Sequence, residues 1–255
     1  MRQLAGRTRG YIIARAERSM KFPQVSWGYR RETRPARVLI QARVIAVSDL
    51  TIEGPAGRLE AKFARAALPE APLALILHPH PRYGGTMSNK VVFALHQGFH
   101  RHGFATLRIN FRGAGRSQGH YDEGEGETAD ALAALDWLAA NHPKARSRWI
   151  AGFSFGAWIA LRALMERADI ERFVAVAPPV NLFDFSFLAP CPAPGLILQG
   201  SRDELVPEPA VARLAQHHGA AIRYQRIDGA DHFFEEHRHE LGRRLAAYLD
   251  KPEAS

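Results

Sequence analysis

The stretch Arg148-Trp149-Ile150-Ala151-Gly152-Phe153-Ser154-Phe155-Gly156-Ala157-Trp158-Ile159-Ala160-Leu161 decides the fold. Its first part is a short apolar run of the kind that forms a strand buried on both faces. Its last part is an apolar helix. Between them lies G-x-S-x-G, which has meaning only in this strand–turn–helix setting. The turn must be sharp enough to hold Ser154 in a strained conformation with its oxygen projecting. Glycines two before and two after the serine remove side chains that would collide as strand and helix close on each other. The N-terminal end of the following helix then points at any oxyanion formed near Ser154. The five residues therefore read as a nucleophile elbow.

Working outward, residues 52–63 read as strand, Gly/Pro turn, strand, with apolar and polar positions alternating. Residues 73–77 are continuously apolar. Helical spacing follows over 90–102, a strand over 104–111, a helix over 126–141, and strands over 148–152 and 172–177 on either side of a helix over 155–167. Further strands are expected over 195–198 and 222–227, with helices over 207–217 and 233–248. Such repeated alternation predicts an α/β fold: a mostly parallel, twisted sheet with helices on both faces. The body, 44–255, is expected to be one domain.

A serine hydroxyl needs a base, and the base needs an orienting carboxylate. In this architecture the chain order is Ser, acid, His. Asp203 follows the apolar run Leu196-Ile197-Leu198, 49 residues beyond Ser154, at the carboxyl end of a strand where open parallel sheets place their sites. His232 comes 29 residues later, just past the last strand. Asp184 is the rival acid, and Glu204 reads as a solvated neighbour.

With these residues in place, the chain resembles the α/β-hydrolases, more narrowly a lidless bacterial group of hydrolases similar to dienelactone hydrolases and serine peptidases. The matching residues are His78-Pro79-His80-Pro81, Gly84-Gly85-Thr86-Met87 with Asn89-Lys90, Asn110-Phe111-Arg112-Gly113 with Gly115 and Ser117, and the three segments around Ser154, Asp203 and His232. They run from about Ile52 to Leu245. The resemblance implies a serine hydrolase acting on a small ester, thioester or amide, most like a carboxylesterase, with no cofactor. An aminopeptidase or acyltransferase would use the same three residues.

The oxyanion needs two N–H donors. One is expected from Phe155, directly after the nucleophile. The other is expected from the loop after 73–77, where Pro79 and Pro81 have no N–H, leaving His80 or a later residue such as Arg82; His80 is preferred. His78 reads as a hydrogen-bonder at the strand end. His96, His100 and His102, like His237 and His239, read as solvated residues on helix faces, with none of the glutamate or cysteine support that a metal site uses. No metal is expected. Gly113, Gly115 and Gly119 form a turn, not a dinucleotide fingerprint, because no helix opens at the third glycine. Arg112 reads first as fixing its loop; the alternative is substrate binding, in which Arg112, with Arg82 and Lys90, gives a positive field that favours carboxylate-bearing substrates. Asp122, Glu123, Glu125 and Glu127 read as a solvated helix start. The 17 residues between the strands ending near 177 and starting near 195 leave no room for a large cap. Phe185 and Phe187, with Phe183 and Leu188, are candidates for an apolar wall.

The 255 residues carry a formal charge of +8 and a pI near 10.0. That basicity is local: 11 of the 34 Lys and Arg but only 2 of the 26 Asp and Glu lie in 1–43, a net of +9, leaving 23 against 24 and a net of −1 in 44–255. The excess is a tail property, so no nucleic-acid partner is expected, although a basic arm is the alternative from a different functional class. The tail is expected to be a poorly ordered extension, with a targeting peptide as the rival. Its apolar run Tyr11-Ile12-Ile13-Ala14 is too short for a secretory signal, and the expected location is cytoplasmic. The longest uncharged stretch, 185–201, holds Pro190, Pro192 and Pro194, so it predicts no membrane span. Cys191, the one cysteine, excludes an intrachain disulfide.

Overall fold

Strand β3 (Leu73–Leu77) is buried at every position, as its unbroken apolar run requires, and the sheet is built around it. The computed structural model describes residues 47–251, so the basic segment 1–43 lies outside the described residues. Two strands open the described chain, β1 (Val47–Gly54) and β2 (Gly57–Ala64), paired antiparallel across the Pro55-Ala56 turn. After β3 come α1 (Lys90–Arg101), β4 (Ala105–Ile109), α2 (Glu125–Asn141), β5 (Arg148–Phe153), α3 (Phe155–Glu166) and β6 (Arg172–Val176). The chain then adds β7 (Gly195–Gly200), α4 (Glu208–His217), β8 (Ile222–Ile227) and α5 (Arg238–Asp250).

The eight strands form one sheet in the order β1-β2-β4-β3-β5-β6-β7-β8. β2 meets β4 antiparallel, and from β4 to β8 every neighbouring pair is parallel. Side chains along the central strands alternate between two cores, as a period of two demands. Leu73, Leu75, Ile150, Phe173 and Ile197 pack with α2, α3 and α4, whereas Ile76, Ala151, Val174 and Leu198 pack with α1 and α5. Helices thus cover both faces of a mostly parallel sheet.

Two local features shape the carboxyl edge of the sheet. Asn89 caps α1 by accepting from the N–H groups of Val91 (2.8 Å) and Val92 (3.5 Å). The connection from β6 to β7 contains only a short 3-10 turn, Ser186–Leu188, so among the described residues no helical cap covers this edge. Among the described residues no helix is long and apolar enough to cross a membrane.

Some expectations need correction. The last helix starts at Arg238 rather than at 233. Phe234 is fully buried at φ 52, a left-handed backbone that an α-helix does not contain, so 233–237 forms a turn beneath the site. Glu127 is not part of a solvated face: it is buried, and its carboxylate accepts from the N–H groups of Gly124 (2.8 Å) and Asp122 (3.0 Å), capping α2. His96 is also buried, with Nδ1 2.7 Å from Thr106 Oγ1.

Candidate active site

The turn between β5 and α3 leaves Ser154 at φ 54, ψ −121, a left-handed conformation that costs a non-glycine residue about 1–3 kcal/mol. The surroundings hold it there. Ser154 N–H donates to Val176 O on the neighbouring strand at 2.8 Å. A Cβ at Gly152 would lie 2.1 Å from Gly156 O, and one at Gly156 would lie 2.5 Å from His78 O. Any side chain at either position would push α3 off the sheet.

Ser154 Oγ lies 3.1 Å from His232 Nε2, and His232 Nδ1 lies 2.8 Å from Asp203 Oδ2. The carboxylate can only accept, so Nδ1 carries the proton and Nε2 is left to accept from the serine hydroxyl. Asp203 follows β7 and is nearly buried. Its Oδ1 accepts from Leu205 N–H (3.0 Å) and Val206 N–H (2.8 Å), and its Oδ2 also accepts from Gln199 Nε2 (2.9 Å). Sequence patterning does not single out Gln199. It is fully buried on β7 and ties Asp203 to Val206 O at 3.0 Å; its only signal in the sequence is one amide at the end of an apolar strand.

Asp184, the rival acid, is exposed and accepts from Ser186 N–H and Ser186 Oγ, and the structure does not bring it to His232. Glu204 is exposed as well.

The loop after β3 packs directly against the elbow. His78 is fully buried; its Nε2 accepts from Phe111 N–H at 3.0 Å, so its Nδ1 donates to Pro79 O at 2.6 Å. Burial pushes its pKa down to about 4. The His80 ring lies 4.8 Å from the Phe155 ring and 4.8 Å from that of Tyr121. Arg82 N–H donates to His80 Nδ1 at 3.2 Å, whereas no described group accepts from His80 N–H. Phe155 N–H, first in α3, has no carbonyl partner in its own helix.

The remaining candidates separate. Arg82 is exposed, with its guanidinium 5.7 Å from the Tyr121 ring. Arg112 is nearly buried and grips the fully buried Asp130, with Nη2 2.8 Å from Oδ1. Its charge is engaged by Asp130 on α2 rather than held free for a substrate. Phe185 and Phe187 stack on each other at 6.0 Å, and Phe185 also lines a cavity against α4. The phenyl ring that reaches the elbow is Phe183, 4.3 Å from Trp158, 5.7 Å from Phe155 and 6.5 Å from His80. Among the described residues no three His, Cys, Asp or Glu side chains group as metal ligands.

A strand–serine–helix elbow in a sheet of this order is widely shared, and comparison with known proteins narrows it. The family model for X-Pro dipeptidyl-peptidase (S15 family) matches residues 58–248. The chain belongs to the S15 family. Protein RP471 of Rickettsia prowazekii is 50% identical to this S15 chain over 209 residues, covering 79% of the chain and 88% of the relative. The crystal structure of ATU1826 from Agrobacterium tumefaciens has a TM-score of 0.78 at 46% identity, covering 80% of this chain and 96% of that one. XC6422 from Xanthomonas campestris, described as an α/β serine hydrolase without a lid, has a TM-score of 0.74 at 31% identity, covering 82% and 97%. The S15 chain is accordingly a serine-hydrolase-like member of the lidless α/β-hydrolases.

Proposed function

We propose that the protein hydrolyses an ester, thioester or amide of a small substrate through an acyl-enzyme, with Ser154 as nucleophile. The single observation that carries this reading is the run of contacts from Ser154 Oγ to His232 Nε2 (3.1 Å) and from His232 Nδ1 to Asp203 Oδ2 (2.8 Å). A lone pair on Ser154 Oγ adds to the substrate carbonyl carbon while its proton passes to His232 Nε2. The imidazolium so formed is stabilised by Asp203. The tetrahedral intermediate places its negative oxygen toward the N–H groups of Phe155 and His80, and losing one such donor costs about 3 kcal/mol of transition-state stabilisation. Collapse breaks the bond to the leaving group, which departs with the proton from His232. Water, deprotonated by the same imidazole, then releases the acid and restores Ser154.

The family description favours a second reading, cleavage of X-Pro peptides. An enzyme that removes dipeptides must also hold the substrate's cationic amine. Arg82, 5.7 Å from the Tyr121 ring, would repel it and offsets the nearby Glu123. The ester reading is therefore preferred.

The test is labelling with a fluorophosphonate probe, followed by a panel of p-nitrophenyl esters and X-Pro anilides. Wild-type protein is expected to be labelled at Ser154 and to turn over the esters faster, and Ser154→Ala is expected to abolish both. Unchanged labelling of Ser154→Ala would remove this serine from the mechanism. Anilide turnover above ester turnover would select the peptidase reading.

A further inference from the structure

Among the described residues no helical cap covers the carboxyl edge of the sheet, so the loops leaving the strands form the mouth of the site, and their exposed side chains are unusual. Eight large apolar side chains are exposed among the described residues, and four of them stand on these loops. Tyr83 (85% exposed) follows β3, Leu182 (65%) follows β6, Leu205 (53%) follows β7 and Phe233 (50%) follows β8. Single exposed apolar residues need no explanation, but several brought together at one site from separate loops do.

Three of the four can be placed relative to His232 and His80. Phe233 packs its ring 5.2 Å from that of His232, and Leu205 N–H donates to Asp203. These two border the imidazole, which must deliver a proton to the leaving group, so they lie on the leaving-group side. Tyr83 packs against His80 at 4.9 Å, and Phe183, the residue after Leu182, reaches both His80 and Phe155. Tyr83 and Phe183 therefore border the N–H groups assigned to the oxyanion, whereas Asn181, beside Leu182, donates from Nδ2 to Leu205 O at 3.1 Å on the other side. The oxyanion side is the one left for the acyl group once the leaving group faces His232.

We infer that the Tyr83–Phe183 wall is an acyl subsite, and that the substrates are esters of apolar carboxylic acids with a chain of about six carbons or an aryl ring. The inference rests on the serine-hydrolase reading and adds the substrate class. A two-carbon acyl group extends too little beyond the carbonyl to cover this wall. A six-carbon group adds four methylenes, and partial burial of these on an open wall corresponds to about a tenfold gain in kcat/KM.

The experiment compares p-nitrophenyl hexanoate with p-nitrophenyl acetate, which share a leaving group, so the ratio of their kcat/KM values reads the acyl side alone. The expected wild-type ratio is about ten. Tyr83→Ser and Phe183→Ala are each expected to bring it down several-fold. Met165→Ser, an exposed apolar position on α3 outside the mouth, is expected to leave both rates unchanged. A wild-type ratio near one, or a high ratio untouched by Tyr83→Ser and Phe183→Ala, would overturn the acyl subsite. If neither ester is turned over, labelling rates for a long-alkyl and a short-alkyl fluorophosphonate read the same wall, and equal rates would overturn it. A chain that takes no probe at Ser154 fails at the hydrolase reading itself, and the subsite falls with it.

Discussion

At the scale of single residues, the site depends on which carboxylate meets His232. Asp203 makes four hydrogen bonds, one of them to the imidazole, while Asp184 is held by Ser186 and is exposed. Asp203→Asn keeps the shape of the group but offers an amide where a carboxylate held the imidazole tautomer. The expected loss in kcat is about a thousandfold or more, whereas Asp184→Asn should stay within about twofold, a change expected at a surface position. Steady-state ester hydrolysis by the two variants checks this, and the reverse result would exchange their roles. Gly156 tests the elbow by packing rather than chemistry. A Cβ there would come within 2.5 Å of His78 O and 2.6 Å of Leu77 O, both backbone atoms that cannot swing aside. Gly156→Ala is expected to cost about 1–3 kcal/mol, as overpacking does. Calorimetry should show Tm lowered by several degrees, because each kcal/mol is worth about 2–4 °C in a chain of this size.

At the scale of elements, the loop from β4 to α2 is anchored by charge rather than by apolar packing. Arg112 donates through its backbone N–H and its guanidinium to Asp130, and both side chains are nearly or fully out of solvent. Arg112→Ala leaves a buried carboxylate unpaired, which costs about 3–5 kcal/mol. Arg116, exposed though paired with Glu60, should cost under about 1 kcal/mol when truncated. Chemical denaturation of both variants checks the contrast, and equal losses would mean that the Arg112 pair does not anchor the loop. The same loop shows where sequence and structure part. Elements carried by apolar runs are legible: β3, β5 and α3 fall within a residue of expectation because burial on both faces leaves a continuous signal. Ser154, Asp203 and His232 are legible from the elbow motif and chain order. What stays hidden depends on long-range partners. Glu127 in sequence is one acid among four, and only the fold turns its carboxylate back onto Gly124 and Asp122. Gln199 and Asp203 are four residues apart, but their bond exists because β7 ends in a turn that brings both to one place. Phe183 and Phe185 cannot be ranked by spacing, since the path of an irregular connection decides which ring meets Phe155.

At the scale of the whole molecule, the fold encloses histidines that are neutral when folded, and this gives its stability a pH dependence. Burial pushes both His78 and His96 down to about 4, and it lowers His80 and His142 in the same direction. Each of these groups binds a proton near pH 6.5 when the chain is unfolded but resists it when folded. Between about pH 6.5 and pH 4 the unfolded state therefore holds more protons, so stability rises with pH in that window and is lost as pH falls through it. For His78 the loss is about 2 kcal/mol at pH 5. Carboxylates do not explain a decline in the upper part of this window. Asp169 and Glu60 are held below their ordinary values by Arg167, Arg116 and neighbouring donors. Their stabilisation is complete above the unfolded carboxylate range near pH 4 and is lost only below it. Urea unfolding at pH 7, 6 and 5 should thus show stability falling while the carboxylates remain ionised. His96→Gln should show a shallower fall, because its buried site no longer titrates. A stability that is constant from pH 7 to pH 5 would mean that these histidines accept protons in the folded state, and with them that the loop bearing His78 and His80 opens to water.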